Sequence, residues 1–361
     1  MALTIPDWKE KNPADIGIML VELLAYAGDY LSYRQDAIAT EAYLGTARKR
    51  ISVKRHARLV DYNMHDGCNA RTWIHLEVTE GVSGVTLPGN QNGNAIKFAT
   101  TVPGQATVIK ANTSQADEFF SKAGFEVFEP MHDLVLDSRF NKLSFYTWGK
   151  TTCHLSEEET TTTIDGHIDD LVGKILVIQE VASPHTFSAA DADRLKRHAV
   201  RIIKAEHGHD ILVGNSEAPE DPAGRPITKI TWHDEDALPF SFCINTLTPE
   251  GEVVTTANLL GNIVLADHGH SIEEHITFTK QKKSPLLQSV PLSYASVYQD
   301  QPTMPASKAI INQPDRARPS IVLRDVETPT VLWEPVGDLI SSQFNQRHFV
   351  VEMENDGQTR I

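Results

Sequence analysis

Residues 12–31 read NPADIGIMLVELLAYAGDYL, and this stretch decides how the chain begins to fold. Asn12 suits an N-cap, Pro13 suits the first helical position, and Asp15 places an acid in the first turn. Apolar residues then recur at steps of three and four, the spacing of one helical face. They are Ile16, Leu20, Leu23, Leu24, Ala27, Tyr30 and Leu31. The pattern continues through Ile38 and Tyr43, so it predicts a long amphipathic helix.

A second, basic helix is predicted directly after the first. Gly45 interrupts the pattern, and Thr46 can cap the helix that follows. Six basic residues lie in this segment: Arg48, Lys49, Arg50, Lys54, Arg55 and Arg58. Three interpretations stay open, namely a solvated or carboxylate-facing surface, a contact with an acidic protein partner, and contact with nucleic acid. The acidic remainder of the chain favours the first of these.

Composition limits the classes of function. The chain has 361 residues and a formal net charge of −15, whereas a nucleic-acid binder would present a basic surface. Its three cysteines, Cys68, Cys153 and Cys243, are far apart and predict no disulfide framework. No apolar run approaches the roughly eighteen residues of a membrane span, so we expect no direct membrane insertion.

The middle of the chain has the pattern of short β-strands. Residues 72–78, TWIHLEV, alternate apolar and polar positions, and residues 174–179 and 199–203 are further strand candidates. Pairs of asparagine and glycine near residues 88–94 indicate turns between them. Residues 207–210, HGHD, have the composition of a loop between two strands.

Eight prolines between residues 285 and 335 predict an extended arm, because proline disfavours long helices and central strands. Residues 336–344 are a candidate short helix, and residues 348–354, HFVVEME, a candidate strand. Asp356 and Gly357 then predict a hairpin turn. Because the second strand of that hairpin is barely begun, we expect the native polypeptide to continue beyond Ile361.

Together these patterns predict an α+β protein, with an N-terminal helical segment followed by mostly-β domains and proline-rich connections. We divide the chain into five parts. They are a helical region at 1–62, β-rich domains at 63–150 and 151–284, an extended arm at 285–335, and the start of a further β domain at 336–361.

Residues 261–275, GNIVLADHGHSIEEH, raise the question of a metal site. His268 and His270 are two positions apart, so on a strand both would face one side and could chelate a metal, with His275 as a distant third ligand. The alternative is a turn at Asp267–His268–Gly269 after a buried run, in which glycine supplies a positive φ. No GxSxG, Walker A or Rossmann glycine pattern is present, so we predict no catalytic residues and no cofactor.

A family resemblance explains these motifs better. Residues 12–62 resemble the N-terminal region of the baseplate assembly proteins, which are inner wedge components of contractile phage tails and related injection systems. The resemblance continues in order through ITWHDEDALPF (residues 230–240), GNIVLADHG (261–269), WEPVGDLISS (333–342) and HFVVEMENDG (348–357). His270 departs from the family pattern, which has a basic residue after DHG, and the threonines at 160–163 replace a glycine-containing loop.

The resemblance implies a structural protein without catalysis. Such wedges form a sixfold baseplate around the hub and spike, and they couple target contact to sheath contraction. The partners that the resemblance implies for this chain are other copies of itself, a sister wedge protein, the sheath-initiating protein of lysozyme-like fold, and the hub and spike proteins. It also implies assembly in the bacterial cytoplasm. The alternative is a metal-binding or hydrolytic tail module centred on His268 and His270.

A wedge role predicts a subunit interface on the N-terminal helices. The apolar residues expected to be buried between subunits are Leu20, Leu23, Leu24 and Tyr30. The basic residues expected to contact carboxylates, within or between chains, are Arg48, Arg50, Arg55 and Arg58.

Overall fold

The structure is a computed structural model, and it describes residues 12, 14–90, 96–100, 108–110, 113–120, 125–213, 224–278, 284–328, 330 and 332–361. The chain forms two compact units. The helical unit comprises Met1–Asp66, Glu274–Leu292 and Ile321–Ile361, and the β unit comprises Gly67–Glu273 and Ser293–Ser320. The five-part division drawn from the sequence stays a prediction.

The described helices are α1 (Ile16–Glu41), α2 (Arg50–Arg58), α3 (Ser114–Phe120) and α4 (Ala306–Ala309). The first strands are β1 (Arg71–His75), β2 (Ser83–Leu87), β3 (Phe98–Ala99), β4 (Val127–Pro130), β5 (Leu134–Asp137), β6 (Cys153–Leu155), β7 (Thr161–Asp165), β8 (Ile175–Glu180), β9 (Arg197–Asp210) and β10 (Arg225–Trp232). The later strands are β11 (Phe242–Leu247), β12 (Val253–Thr255), β13 (Ala257–Leu260), β14 (Ile263–His268), β15 (Leu323–Arg324), β16 (Leu332–Pro335), β17 (His348–Phe349), β18 (Glu352–Met353) and β19 (Thr359–Arg360). The predicted α+β class is confirmed.

The main core of the β unit lies on a five-stranded antiparallel sheet of order β13-β8-β9-β10-β7. Leu176, Ile178, Val200, Ile202 and Ile230 alternate along its central strands and are fully buried. Alternation places these side chains on one face, where they pack with residues of the three-stranded sheet β12-β11-β6.

The GNIVLADHG motif (residues 261–269) contains the whole of β14, which is a central strand of the sheet β1-β14-β4-β3. Val264, Leu265 and Ala266 are fully buried there. A Cβ atom on Gly261 would lie 2.7 Å from the Cβ of Phe140, so the close approach of these two backbones requires glycine. The motif is thus explained by packing.

Two loop expectations in the β unit are wrong. His207 to Asp210 lie inside β9, where they pair with β10, because the hairpin between these strands is longer than the sequence pattern suggested. The turn expected at Asp267 and His268 is instead the end of β14, which pairs with β1 and β4. Only Gly269, with a φ of +111°, has the predicted turn geometry.

Part of the predicted proline-rich arm belongs to the core of the β unit. Ala306 and Ala309 of α4 are buried, as is Ala317. The buried carboxylate of Asp236 accepts hydrogen bonds from the backbone N–H groups of Arg201, Ala306 and Ser307, at 2.8–3.0 Å. This carboxylate, placed by the motif ITWHDEDALPF, therefore fixes the short helix onto β9.

The helical unit has a small core of its own, in which Leu287, Phe349 and Ile361 are buried together. The predicted hairpin at Asp356 and Gly357 is confirmed, since β18 pairs antiparallel with β19. The candidate helix at 336–344 is wrong, because this segment forms hydrogen-bonded turns after β16. The strand expected at 348–354 is divided into β17 and β18.

We expect Asp236→Ala to lower the free energy of unfolding of the β unit by at least about 2 kcal/mol. A hydrogen bond to a charged acceptor contributes roughly 1.5–3 kcal/mol, and three backbone donors, two of them in buried bonds, lose theirs. Urea unfolding of the full chain measures this change. Asp234→Ala is the matched control, since Asp234 lies in the same turn but is exposed. Equal small effects of both substitutions would contradict the anchoring role.

Candidate interaction surface on helices α1 and α2

Helix α1 begins at Ile16, and its N-cap lies three residues after the one predicted at Asn12. Asp15 is the actual N-cap, and its carboxylate accepts a hydrogen bond from the backbone N–H of Ile18 at 3.1 Å. The Asn12 side chain instead accepts from the N–H of Ala14 in the turn before the helix. Pro13 lies outside the described residues.

The apolar face of α1 is exposed along its 26 residues, and none of them is buried. Leu20 is 50% exposed, Leu23 60%, Leu24 72% and Tyr30 56%. Further large apolar side chains of α1 that are more than half exposed are Ile16, Met19, Tyr26, Leu31, Tyr33 and Ile38. A helix with such a surface needs an apolar cover that the described part of the chain does not provide.

Glu41, the last residue of α1, connects it to α2. Its carboxylate accepts hydrogen bonds from the backbone N–H groups of Arg48 and Lys49, at 3.1 and 3.2 Å. A side-chain hydrogen bond with Ser52 is the main cause that lowers the pKa of Glu41. Lys49 is the N-cap of α2 but makes no side-chain capping hydrogen bond, and Glu41 fixes the chain at this helix end through the two backbone N–H groups just before Arg50.

Asp66 forms ion pairs with two basic residues of α2. Arg50 donates to its carboxylate from Nε and Nη2 at 3.2 and 3.0 Å, and Lys54 from Nζ at 2.6 Å. Burial by itself would raise the pKa of Asp66, but the hydrogen bonds and charges of Lys54 and Arg50 outweigh it and lower the pKa. The Asp66 side chain is only 11% exposed, so its two ion pairs are better shielded from water than the ion pairs of Arg55 and Arg58.

Helix α2 also contacts the C-terminal part of the helical unit. Arg55 pairs with Glu352 at 2.9 Å, and Arg58 with Asp338 at 2.6 Å. Asn355, at the tip of the β18–β19 hairpin, accepts a hydrogen bond from the N–H of Arg50 at 2.6 Å. The same side chain donates to the carbonyl of Arg48. The hairpin therefore caps α2 from 305 residues away.

The predicted site residues thus separate into two groups. Leu20, Leu23, Leu24 and Tyr30 lie exposed on α1, whereas the side chains of Arg50, Arg55 and Arg58 are paired within the chain. Within the described residues the Arg48 side chain has no carboxylate partner, and only its backbone is bonded. The expected Thr46 cap is wrong, because its hydroxyl donates to the carbonyl of Thr40 instead.

Sequence reasoning missed Glu41, Asp66 and Asn355, which accept hydrogen bonds from α2 or from the residues just before it. Glu41 had a local signal, since it lies only eight residues before Lys49, the N-cap of α2, whose backbone N–H donates to it. Asp66 and Asn355 had no such local signal. The spacing of residues shows neither the direction of the chain after α2 nor the position of the hairpin tip.

The histidines of the GNIVLADHGHSIEEH stretch make other contacts. The Nε2 of His268 lies 2.6 Å from a carboxylate oxygen of Glu126, and its ring packs edge-on against Phe128. Burial and, to a lesser degree, Lys97 lower the pKa of His270. Within the described residues no three ligating side chains surround a common point here.

Comparison with known families gives one match. Residues 2–59 match the family model described as bacteriophage baseplate protein, N-terminal domain. The N-terminal segment belongs to this baseplate family. The match supports the baseplate family assignment that the sequence predicted for this segment. No curated protein and no solved structure matches the chain.

The matched baseplate segment ends one residue after α2, so it contains both helices. It supports a structural role in a phage baseplate, and it suggests a protein that is not an enzyme. The match also implies a place in the phage tail particle. None of the described helices combines the length and apolar character needed to cross a bilayer.

We expect Asp66→Asn to destabilise the helical unit by about 1–3 kcal/mol at pH 7, because Arg50 and Lys54 lose their shared charged acceptor. Thermal unfolding of the full chain, followed by circular dichroism, measures the change. Asp61→Asn is the control, since Asp61 is an exposed residue nearby and Asn tolerates its positive φ of 61°.

The ion pairs of Asp66 with Arg50 and Lys54 also predict that the stability of the helical unit depends on pH. Because folding lowers the pKa of Asp66, its stabilisation is complete above the ordinary value of 3.8 and is lost as the pH falls through the lower folded-state pKa. Asp66→Asn should therefore remove part of the stability loss below that value. An unchanged acid dependence in this variant would contradict the assignment.

Proposed function

We propose that the chain is a structural wedge component of the baseplate of a contractile phage tail or a related injection system. In this proposal α1 is the surface through which the subunit joins its neighbours. The family match of residues 2–59 supports the baseplate role, and the resemblance along the rest of the chain supports the finer assignment to a wedge.

The observation that carries this proposal is the exposed apolar stripe of α1. Leu20, Leu23, Leu24 and Tyr30 lie on one face, together with Ile16 and Leu31. Burying a leucine that is half exposed or more contributes on the order of 1 kcal/mol, since full burial of such a side chain contributes about 1.5–3 kcal/mol. Summed over a helix of roughly 39 Å, this is a sufficient driving force for association between subunits.

Helix α2 gives the interface a fixed support. Its ion pairs with Asp66, Glu352 and Asp338 are internal, so most of its basic charge is neutralised within the chain. This arrangement favours the carboxylate-facing interpretation of the basic helix over contact with nucleic acid. Arg48, which has no carboxylate partner among the described residues, is the basic residue that we assign to contact with a neighbouring subunit.

The wedge proposal includes partners and a mechanical role. The partners are further copies of the chain, a sister wedge protein, the sheath-initiating protein of lysozyme-like fold, and the hub and spike proteins. Around the hub, a sixfold arrangement of such subunits would couple target contact to sheath contraction. The family resemblance supports these assignments, and assembly is proposed to take place in the bacterial cytoplasm.

The interface is tested by Leu20→Asp combined with Leu24→Asp. We expect normal folding of the isolated chain and loss of assembled particles, because the carboxylates would be desolvated in the interface. Electron microscopy of particles from cells that carry the variant measures assembly, and circular dichroism of the purified chain checks folding.

The control is Ala25→Asp combined with Ser32→Asp, which adds two carboxylates to the opposite face of α1. Its two positions are exposed, like those of the test variant. Normal particles from the leucine variant, or equal loss from both variants, would refute the apolar stripe as the specific interface.

A further inference from the structure

The apolar stripe of α1 contains one charged residue, Arg34. Residues on this side of the helix follow one another in steps of four and three, which is the heptad repeat of a coiled-coil seam. The positions that follow this repeat without interruption are Ile16, Leu20, Leu23, Ala27, Tyr30 and Arg34. Arg34 is also the only basic residue of α1. A helix that packs along this seam therefore meets a guanidinium group in an otherwise apolar surface.

Arg34 has no ionic partner on its own helix. A helical side chain reaches the side chains three and four positions away. At those distances from Arg34 stand Tyr30, Leu31, Ala37 and Ile38, none of which carries a charge. Arg34 is exposed, and among the described residues its guanidinium takes part in no hydrogen bond or ion pair. It is therefore available to a group that the described part of the chain does not supply.

The carboxylates of α1 cannot serve Arg34 of a second copy. Glu22, Asp29 and Asp36 recur at every seventh position, so they share one face of the helix. With about 3.6 residues per turn, that face is opposite the seam. Glu41 lies closer to the seam, but its carboxylate already accepts from the N–H groups just before α2. Two copies of α1 in parallel register would even place two guanidinium groups against each other.

We propose that the apolar stripe of α1 binds a helix of a different polypeptide, whose apolar face carries an aspartate or glutamate opposite Arg34. This inference rests on the proposed function, because it names the chemistry of the partner at the same surface. An unpaired charge buried between helices opposes association, whereas a carboxylate that accepts two bonds from the guanidinium offsets much of that cost. Arg34 then sets the register of the two helices and selects this partner over a second α1.

Self-association of the purified full chain tests the exclusion of a second α1. Arg34→Leu makes the seam continuously apolar, so we expect it to raise the association constant of the chain with itself by at least about tenfold over the wild type. Sedimentation velocity over a range of protein concentrations measures this constant. Arg34→Lys should behave like the wild type, because it keeps a positive charge in the seam.

Asp36→Leu is the matched control, since it also replaces an exposed charged residue of α1 by leucine, but on the opposite face. It should leave self-association at the wild-type level, and circular dichroism checks the fold of each variant. The selecting role of Arg34 is overturned if Arg34→Leu associates no more strongly than the wild type, or if Asp36→Leu associates equally.

The partner carboxylate is tested in assembled particles that carry Arg34→Lys. A carbodiimide joins an amine to a carboxylate only where the two are in direct contact, and mass spectrometry of the digested particles identifies the peptide joined to position 34. We expect an aspartate or glutamate of a different polypeptide. A link to another copy of this chain, or the absence of any link at position 34, overturns the proposal.

Charge reversal separates this inference from the proposed function. Arg34→Glu should abolish assembled particles, whereas Asp36→Lys should leave them at the wild-type yield, as electron microscopy measures. A normal yield from Arg34→Glu, together with loss of particles in the variant with Leu20→Asp and Leu24→Asp, would overturn the role of Arg34 and leave α1 as the interface. Normal particles from both variants would refute the interface itself.

Discussion

Helix α1 cannot bury its leucines and tyrosines against the described part of its own chain, and this constraint determines how the helical unit can function. Its 26 residues include none that is buried. Such a long apolar surface is stable in water only when another surface covers it. The family match supports a baseplate role for this segment, and we propose that neighbouring subunits supply the cover.

Helix α2, in contrast to α1, finds partners for most of its side chains within the chain. Its basic residues form ion pairs with Asp66, Glu352 and Asp338. Asn355 accepts from its first N–H group, and Glu41 accepts from the two N–H groups just before it. Exposed ion pairs contribute little individually, so the partly buried Asp66 is the one that matters most for stability. In our proposal, association between subunits therefore depends on the apolar face of α1.

The β unit depends on buried polar groups as much as on its apolar core. Asp236 fixes α4, and the Asn262 side chain bonds the backbone N–H and carbonyl of Asp137. Hydrogen bonds from Arg139, opposed by burial and assisted by Ser83, hold the pKa of Asp137 far below its usual range. These contacts explain why the sequence landmarks near residues 236 and 262 are polar although they lie in the core.

The sequence by itself determined the α+β class, the long helix α1 and the baseplate family, because helical spacing, strand alternation and family motifs are local or linear signals. Tertiary structure alone decided that residues 207–210, HGHD, lie within a strand, and that part of the proline-rich segment packs into the core. It also decided that Asp66 and Asn355 bond α2. These features depend on which distant segments meet. Neither hydrogen-bond partners 305 residues apart nor the length of a hairpin can be read from composition or periodicity.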